Sequence, residues 1–87
     1  MSMSAEKRLV GRVTHYFTKI GVAVVELSDT VSVGDRISIE GATTNIQQTV
    51  ESMQIEHNNV KTANAGESIG LKVKDRVREG DMVYKIS

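Results

Sequence analysis

The chain has 87 residues, of which 39% are hydrophobic and 25% charged, with 11 basic residues, 11 acidic residues and no cysteine. Such a chain is long enough for one small domain and has the composition of a folded globular protein. The lack of cysteine excludes disulfides, thiolate metal sites and a cysteine nucleophile. The balanced charge lacks the basic excess that nucleic-acid-binding proteins usually show.

The N-terminal residues and the distribution of apolar residues predict a location for the protein. No apolar run approaches the roughly 18 residues of a membrane-spanning helix, and residues 1–8 lack the apolar stretch of a secretory signal. We therefore expect a cytoplasmic protein without a membrane partner. Residues 1–8 are predicted to be a disordered segment before a single domain at residues 9–87.

Most of the chain alternates apolar and polar residues with a period of two, which is typical of half-buried strands. Five strands are predicted in this way, at residues 9–17, 20–27, 35–40, 68–73 and 82–86. Residues 22–25 are apolar on both faces and predict a central strand. Short strands between regularly spaced glycine turns indicate an all-β sandwich or barrel, and a closed barrel would remove exposed edges.

Residues 45–56 fit two structures. Ile46, Val50 and Met53 have the spacing of an amphipathic helix with Asn45 as its cap. As a strand, the segment needs a bulge near Ser52 to bring its apolar residues to one face. Because the predicted neighbours are strands, the context favours a bulged strand.

The motifs associated with catalysis give weak signals. Residues 66–70 match G-x-S-x-G, but a strand follows where the nucleophile elbow needs a helix, and no histidine follows His57. His15 and His57 have no evident nucleophile or metal-ligand set, and the P-loop motif is absent. We therefore predict no enzyme activity, no catalytic residue, no cofactor and no metal.

Four basic residues occur at every second position, with Val73, Asp75 and Val77 between them: Lys72, Lys74, Arg76 and Arg78. On an extended segment they would share one face. That face is either simply solvated above two inward valines, or it contacts phosphates or an acidic protein.

Tyr16 and Phe17 are adjacent aromatic residues near the turn between the first two predicted strands. Neighbouring residues of a strand point to opposite faces, so at most one of these rings enters the core. The other, which the sequence suggests is Tyr16, either stacks on a base or fills a partner's pocket, or it caps the end of a barrel.

Several segments together resemble domain 2 of the translation elongation factor Tu class of GTPases: 11–13, 33–41, 60–71 and 77–83. The chain looks most like a stand-alone elongation-factor-like protein, and residues 49–53 are also similar to the C-terminal barrel of the U32 peptidase-related family. The resemblance implies a small six-stranded antiparallel Greek-key β-barrel. In the GTPases this barrel touches the aminoacyl end of transfer RNA or the ribosome. The GTPase domain and the U32 catalytic domain have no counterpart in these 87 residues.

Two functional hypotheses follow. In the first, the chain is a non-catalytic binding module that contacts RNA, the ribosome or a translation factor through the four basic residues and one of the two aromatic rings. In the second, it is a protein-interaction or self-assembling adaptor with no nucleic-acid role, as zero net charge and the two-sided apolar strand suggest. A separate protein would then supply a GTPase or other catalytic domain in trans. The oligomeric state stays open.

Overall fold

The computed structural model describes residues 7–86, which form ten strands and no helix. The strands are β1 (Lys7–Phe17), β2 (Val22–Leu27), β3 (Val31–Ser32), β4 (Arg36–Glu40), β5 (Asn45–Thr49), β6 (Met53–Ile55), β7 (Asn58–Val60), β8 (Thr62–Ala63), β9 (Ser68–Lys72) and β10 (Met82–Ile86). The all-β prediction is confirmed. Strand β1 begins two residues before the predicted domain boundary, and the rest of the predicted disordered segment, residues 1–6, lies outside the described residues.

Eight of these strands form one antiparallel sheet in the order β5-β4-β10-β1-β2-β9-β6-β7, and β3 pairs with β8. The sheet therefore has more strands than the six predicted. The difference arises in the middle of the chain, where residues 45–60 make three short strands. Strand β2 lies between β1 and β9, as its two-sided apolar sequence predicts.

Residues 45–49 and 53–55 are strands, so the strand interpretation is confirmed over the helix. In place of a bulge, however, strand pairing is interrupted at residues 50–52 between β5 and β6. Val50 holds the start of this interruption, because its N–H donates to the Asp35 carbonyl and its carbonyl accepts from the Gly34 N–H, both at 2.8 Å. Its side chain is fully buried.

A two-residue turn follows at Glu56 and His57, which join β6 to β7. Both residues have positive φ, 51° and 68°, as the type I′ hairpin turn requires. This turn makes residues 53–60 a tight hairpin, and β6 then pairs with β9 to extend the sheet.

The core is formed by the inward faces of the strands, as the alternation predicts. Ile37 and Ile39 of β4 are fully buried, and Ile69, Leu71 and Val73 face them from the other half of the sheet. Burying a side chain of this size contributes about 1.5–3 kcal/mol. Of the polar residues beside them, Lys72 is exposed, whereas Ser38 is buried and donates its hydroxyl to Glu40.

A cationic groove along the free edge of β5

Strand β5 pairs with β4 on one side only, so its other edge is free. Two hydrogen bonds fix which residues use that edge: the Gly41 N–H donates to the Thr44 carbonyl, and the Val50 N–H donates to the Asp35 carbonyl, each at 2.8 Å. In an antiparallel pair the residues that bond to the partner alternate. The even-numbered residues of β5 therefore bond to β4, and the backbone N–H and C=O groups of three residues point to the free edge: Asn45, Gln47 and Thr49.

The chain that follows β9 runs beside this edge and is joined to it by one side chain. The Nε2 atom of Gln48 donates to the Lys72 carbonyl at 2.8 Å, and its Oε1 atom accepts from the Lys74 N–H at 2.9 Å. One primary amide thus satisfies a C=O and an N–H of the opposite segment, as the backbone of a paired strand would. Gln48 therefore links β5 to residues 72–74 without a backbone ladder.

Two adjoining cavities lie between β5 and residues 72–78. The first, of about 420 Å³, is lined by Arg36, Gln47, Thr49, Glu51, Lys72 and Lys74, among others. The second, of about 340 Å³, lies beside the start of β5 and is lined by Asp75, Arg76 and Arg78. We call the two together the cationic groove, after its five basic side chains: Arg36, Lys72, Lys74, Arg76 and Arg78.

The basic side chains of the groove have no ion-pair partner within residues 7–86. Two carboxylates also line the groove, Glu51 and Asp75, and Asp75 accepts a hydrogen bond from the Arg76 N–H at 3.0 Å. Lys72 is partly engaged, because its Nζ donates to the Ile20 carbonyl at 2.8 Å. The groove therefore holds an excess of positive charge, although the whole chain is neutral.

The cations of β1 and β10 are arranged differently, since carboxylates neutralise them. Lys7 pairs with Glu40 at 2.7 Å, Arg8 with Asp29 at 3.2 Å, and two more pairs of this kind are Arg12 with Glu26 and Lys85 with Asp35. The hydrogen bond from Lys7, and then that from the Ser38 hydroxyl, hold the pKa of Glu40 below its ordinary value. The Thr30 N–H, with Arg8 nearby, likewise lowers the pKa of Asp29. The uncompensated positive charge is thus concentrated at the groove.

The predicted basic stripe is only partly correct. Val73 and Val77 are buried, as the alternation predicts. Strand β9 ends at Lys72, however, and the chain bends at residues 74–75, so the four basic residues do not share one strand face. The Gln48 amide accepts a hydrogen bond from the Lys74 N–H in place of a strand partner, and the side chain of Asp75 accepts one from the Arg76 N–H. The stripe is divided between the two cavities.

The two aromatic residues are placed the other way round from the prediction. Tyr16 is half-buried and packs against the core, whereas Phe17 is 45% exposed. The Phe17 ring contacts the His15 ring edge-on, with centroids 4.4 Å apart. His15 in turn pairs with Glu79 at 3.1 Å. Phe17, and not the expected Tyr16, is therefore the more exposed ring of this hairpin, and contact of either ring with a partner stays a prediction.

The sequence motif associated with catalysis occupies an ordinary turn and strand start in the fold. Gly66 has a φ of 90° in a turn, and Ser68 begins β9 two residues later, so the G-x-S-x-G segment is a turn that opens a strand. Across residues 7–86, nowhere do three histidine or carboxylate side chains gather closely enough to hold a metal ion. Over the same range, no helix could cross a membrane.

Comparison with solved structures relates this fold to a known domain. The C-terminal domain of a U32 peptidase from Geobacillus thermoleovorans superposes with a TM-score of 0.84 and 25% identity, over 88% of this chain and 90% of that domain. Its selenomethionine variant gives 0.83 and 24%, over 87% and 96%. The chain has the fold of a U32 peptidase C-terminal domain. No family model matches it.

Curated relatives point in the same direction. An uncharacterised protease of Methanocaldococcus jannaschii is 45% identical over 76 residues, which are 86% of this chain and 19% of that protein. A collagenase of Porphyromonas gingivalis is 39% identical over 82 residues, 92% of this chain and 23% of that protein. The chain thus spans about a fifth of the length of these relatives. The predicted similarity to the U32 barrel is supported, whereas the resemblance to elongation factor Tu remains a prediction.

Residue-by-residue reasoning from the sequence missed Gln48, Arg36 and the free edge of β5 as parts of this site. Arg36 is predicted on the outer face of its strand, but nothing nearby in the sequence connects it with residues 72–78. Gln48 bonds to residues 24 and 26 positions away. Only the register of the folded sheet brings these groups together.

Proposed function

We propose that this chain is a non-catalytic binding module of the kind that U32 peptidases have at their C-terminus, and that the cationic groove is its binding surface. The observation that carries the proposal is the extent of the match. The chain corresponds to 90% or more of a U32 C-terminal domain but to only about a fifth of the curated relatives named protease or collagenase. The larger, unmatched part of those relatives is where we place the catalytic chemistry.

The chemistry of the described residues supports a binding role. Between residues 7 and 86, no serine or threonine hydroxyl is hydrogen-bonded to His15 or His57, and the carboxylate that pairs with His15 is itself exposed. A nucleophile and its base need such a contact. By contrast, the groove offers free backbone groups and uncompensated cations, which are binding groups.

We also propose that the sheet closes as a barrel of the Greek-key type. The support is the Gln48 amide, which joins β5 at one end of the sheet to the chain leaving β9 near its other end. This closure runs through one side chain and not through a backbone ladder, so the edge groups of Asn45, Gln47 and Thr49 keep no backbone partner within residues 7–86, and barrel and binding surface depend on the same residue.

Of the two partner classes that the sequence leaves open, we favour protein over RNA or the translation machinery. Unpaired cations could contact either one. The relatives found by comparison are named as peptidase, protease and collagenase, and a module of such proteins meets polypeptide chains. An adaptor that brings a polypeptide to a catalytic chain is therefore the function we assign.

An exchange experiment on the Porphyromonas gingivalis collagenase tests this function. Three forms are compared on collagen: the intact enzyme, a form lacking the 82 matching residues, and a form in which this chain replaces them. We expect the deletion to raise KM with little change in kcat, the replacement to restore KM, and the isolated chain to cleave nothing. A module that only binds substrate has this effect on the two constants. Collagen cleavage by the isolated chain, or a deletion that abolishes kcat while KM is unchanged, would overturn the proposal.

A further inference from the structure

We propose that the cationic groove binds an extended acidic peptide segment of another protein, which adds to the free edge of β5 as a further strand. This inference rests on the proposed function and names its partner. It is carried by the free strand edge, by the charge of the groove and by the residues that line it.

The first argument is the hydrogen-bonding capacity of the edge. Asn45, Gln47 and Thr49 direct their backbone N–H and C=O groups away from β4. An extended peptide can pair with such a row through its own backbone, whatever its side chains. At about 3.3 Å per residue, β5 has room for a peptide of roughly five or six residues.

The second argument is charge complementarity on the outer face. Arg36 is directly opposite Thr49 in the β4–β5 register, and Lys74 lines the same cavity from the other side. Neither side chain has an ion-pair partner among residues 7–86. Carboxylates on a bound strand would meet these cations, although Glu51 and Asp75 reduce the net attraction.

The third argument concerns the side chains on the inner face. Ile46 packs against the core from β5, and Val73 is buried on the opposite segment. Because successive residues of a strand point to opposite faces, the peptide that fits best alternates acidic and apolar residues. Its acidic side chains then face the cations, and its apolar side chains face the partly exposed Ile46 and Gln48 of β5.

The lining of the groove favours a peptide over single-stranded RNA. Single-stranded nucleic acids are usually held by aromatic rings on which bases stack, in addition to cations. None of the residues that line the two cavities is aromatic. The exposed ring of Phe17 lies on the β1–β2 hairpin and is already in contact with His15.

Fluorescence anisotropy with defined probes tests the proposal on the full chain. The probe is a fluorescein-labelled Glu-Val-Glu-Val-Glu-Val peptide. Three further probes are the same peptide with alternate backbone nitrogens methylated, a Lys-Val analogue and a labelled hexauridylate. We expect saturable binding of the Glu-Val peptide. N-methylation on the edge that meets β5 should raise the Kd about tenfold or more, since backbone hydrogen bonds supply the affinity in strand addition. The Lys-Val peptide should not bind.

Matched variants locate the site. We expect Lys74→Glu to raise the Kd of the Glu-Val peptide about five- to tenfold, because an exposed attraction becomes a repulsion. Lys61→Glu makes the same charge change at an exposed lysine that lines neither cavity and should leave the Kd within about twofold. Gln47→Pro removes an edge N–H without breaking a bond to β4 and should also weaken binding.

Three results would each overturn the proposal: equal binding of the N-methylated peptide, equal effects of the two lysine substitutions, or tighter binding of hexauridylate than of the Glu-Val peptide. Absence of binding to every probe would do so as well. If a variant fails to fold, the comparison of the Glu-Val peptide with its N-methylated form on the unmodified chain still tests the proposal. None of these results affects the collagenase exchange experiment, so failure of this inference is distinguishable from failure of the proposed function.

Discussion

Replacing Gln48 by alanine removes the one side chain that joins β5 to residues 72–74. The two hydrogen bonds it makes, of 2.8 and 2.9 Å, are lost, and the Lys72 carbonyl and the Lys74 N–H lose their partner. Each such bond contributes about 0.5–1.5 kcal/mol net. Because the site is partly open to water, we expect the lower half of the sum, about 1–2 kcal/mol. For a domain of this size that lowers Tm by roughly 4–15 °C.

Thermal unfolding followed by circular dichroism measures this change, with Gln47→Ala as the matched control. Gln47 is exposed, and its side chain makes no hydrogen bond within the part of the chain that the structure describes, so its substitution should cost no more than about 0.5 kcal/mol. Amide hydrogen exchange adds a local measurement. The Lys74 N–H should exchange faster in Gln48→Ala, and its exchange rate should be unchanged in the control. Equal Tm values for the two variants, with the Lys74 amide still protected, would contradict the stabilising link that Gln48 makes between β5 and residues 72–74.

Four further substitutions test other parts of the structure. Gly41→Ala places a methyl group against the Asp81 carboxylate and should lower the free energy of unfolding in urea by about 1–3 kcal/mol. An unchanged unfolding midpoint would show that the Asp81 side chain moves aside without cost. Tyr16→Ala should cost about 2 kcal/mol and Phe17→Ala less than about 1, and equal losses would contradict the assignment of the core ring. Glu40→Gln should lower Tm at neutral pH. Because the pKa of Glu40 is depressed in the folded state, its contribution is present above its ordinary pKa and is lost as pH falls through the lowered pKa, so the Tm difference between wild type and variant should shrink as the solution is acidified. A Tm difference that stays unchanged on acidification would contradict the ion pair.

The sequence predicts the strands well where one face is buried, because alternation is a local property. Residues 36–40 are recognised as a strand with Ile37 and Ile39 buried, although Ser38 between them is buried as well and not solvated. Residues 45–56 are harder, because an interruption in strand pairing separates β5 from Met53. At its start Val50 makes backbone bonds to Gly34 and Asp35, which no local pattern reveals.

The candidate site is less predictable than the fold. Its cations at residues 72–78 are visible as a repeated pattern, and the burial of Val73 and Val77 follows from the same pattern. The end of β9 at Lys72 does not, because the Lys72 carbonyl and the Lys74 N–H bond to the side chain of Gln48, which is distant in sequence, and not to a strand. The orientation of Tyr16 cannot be predicted for a similar reason. The register of β1 shifts between Val13 and His15, which changes which of the following residues face the core.

The central claim, that the groove is the binding surface of this module, is tested most directly by mapping a bound probe on the whole surface. The amide signals of the ¹⁵N-labelled chain are followed by NMR while the Glu-Val peptide is added. The account predicts the largest shifts at Asn45, Gln47, Thr49 and Lys74, with little change at Lys61. Shifts concentrated on the β1–β2 hairpin, at Phe17 and its neighbours, would contradict it.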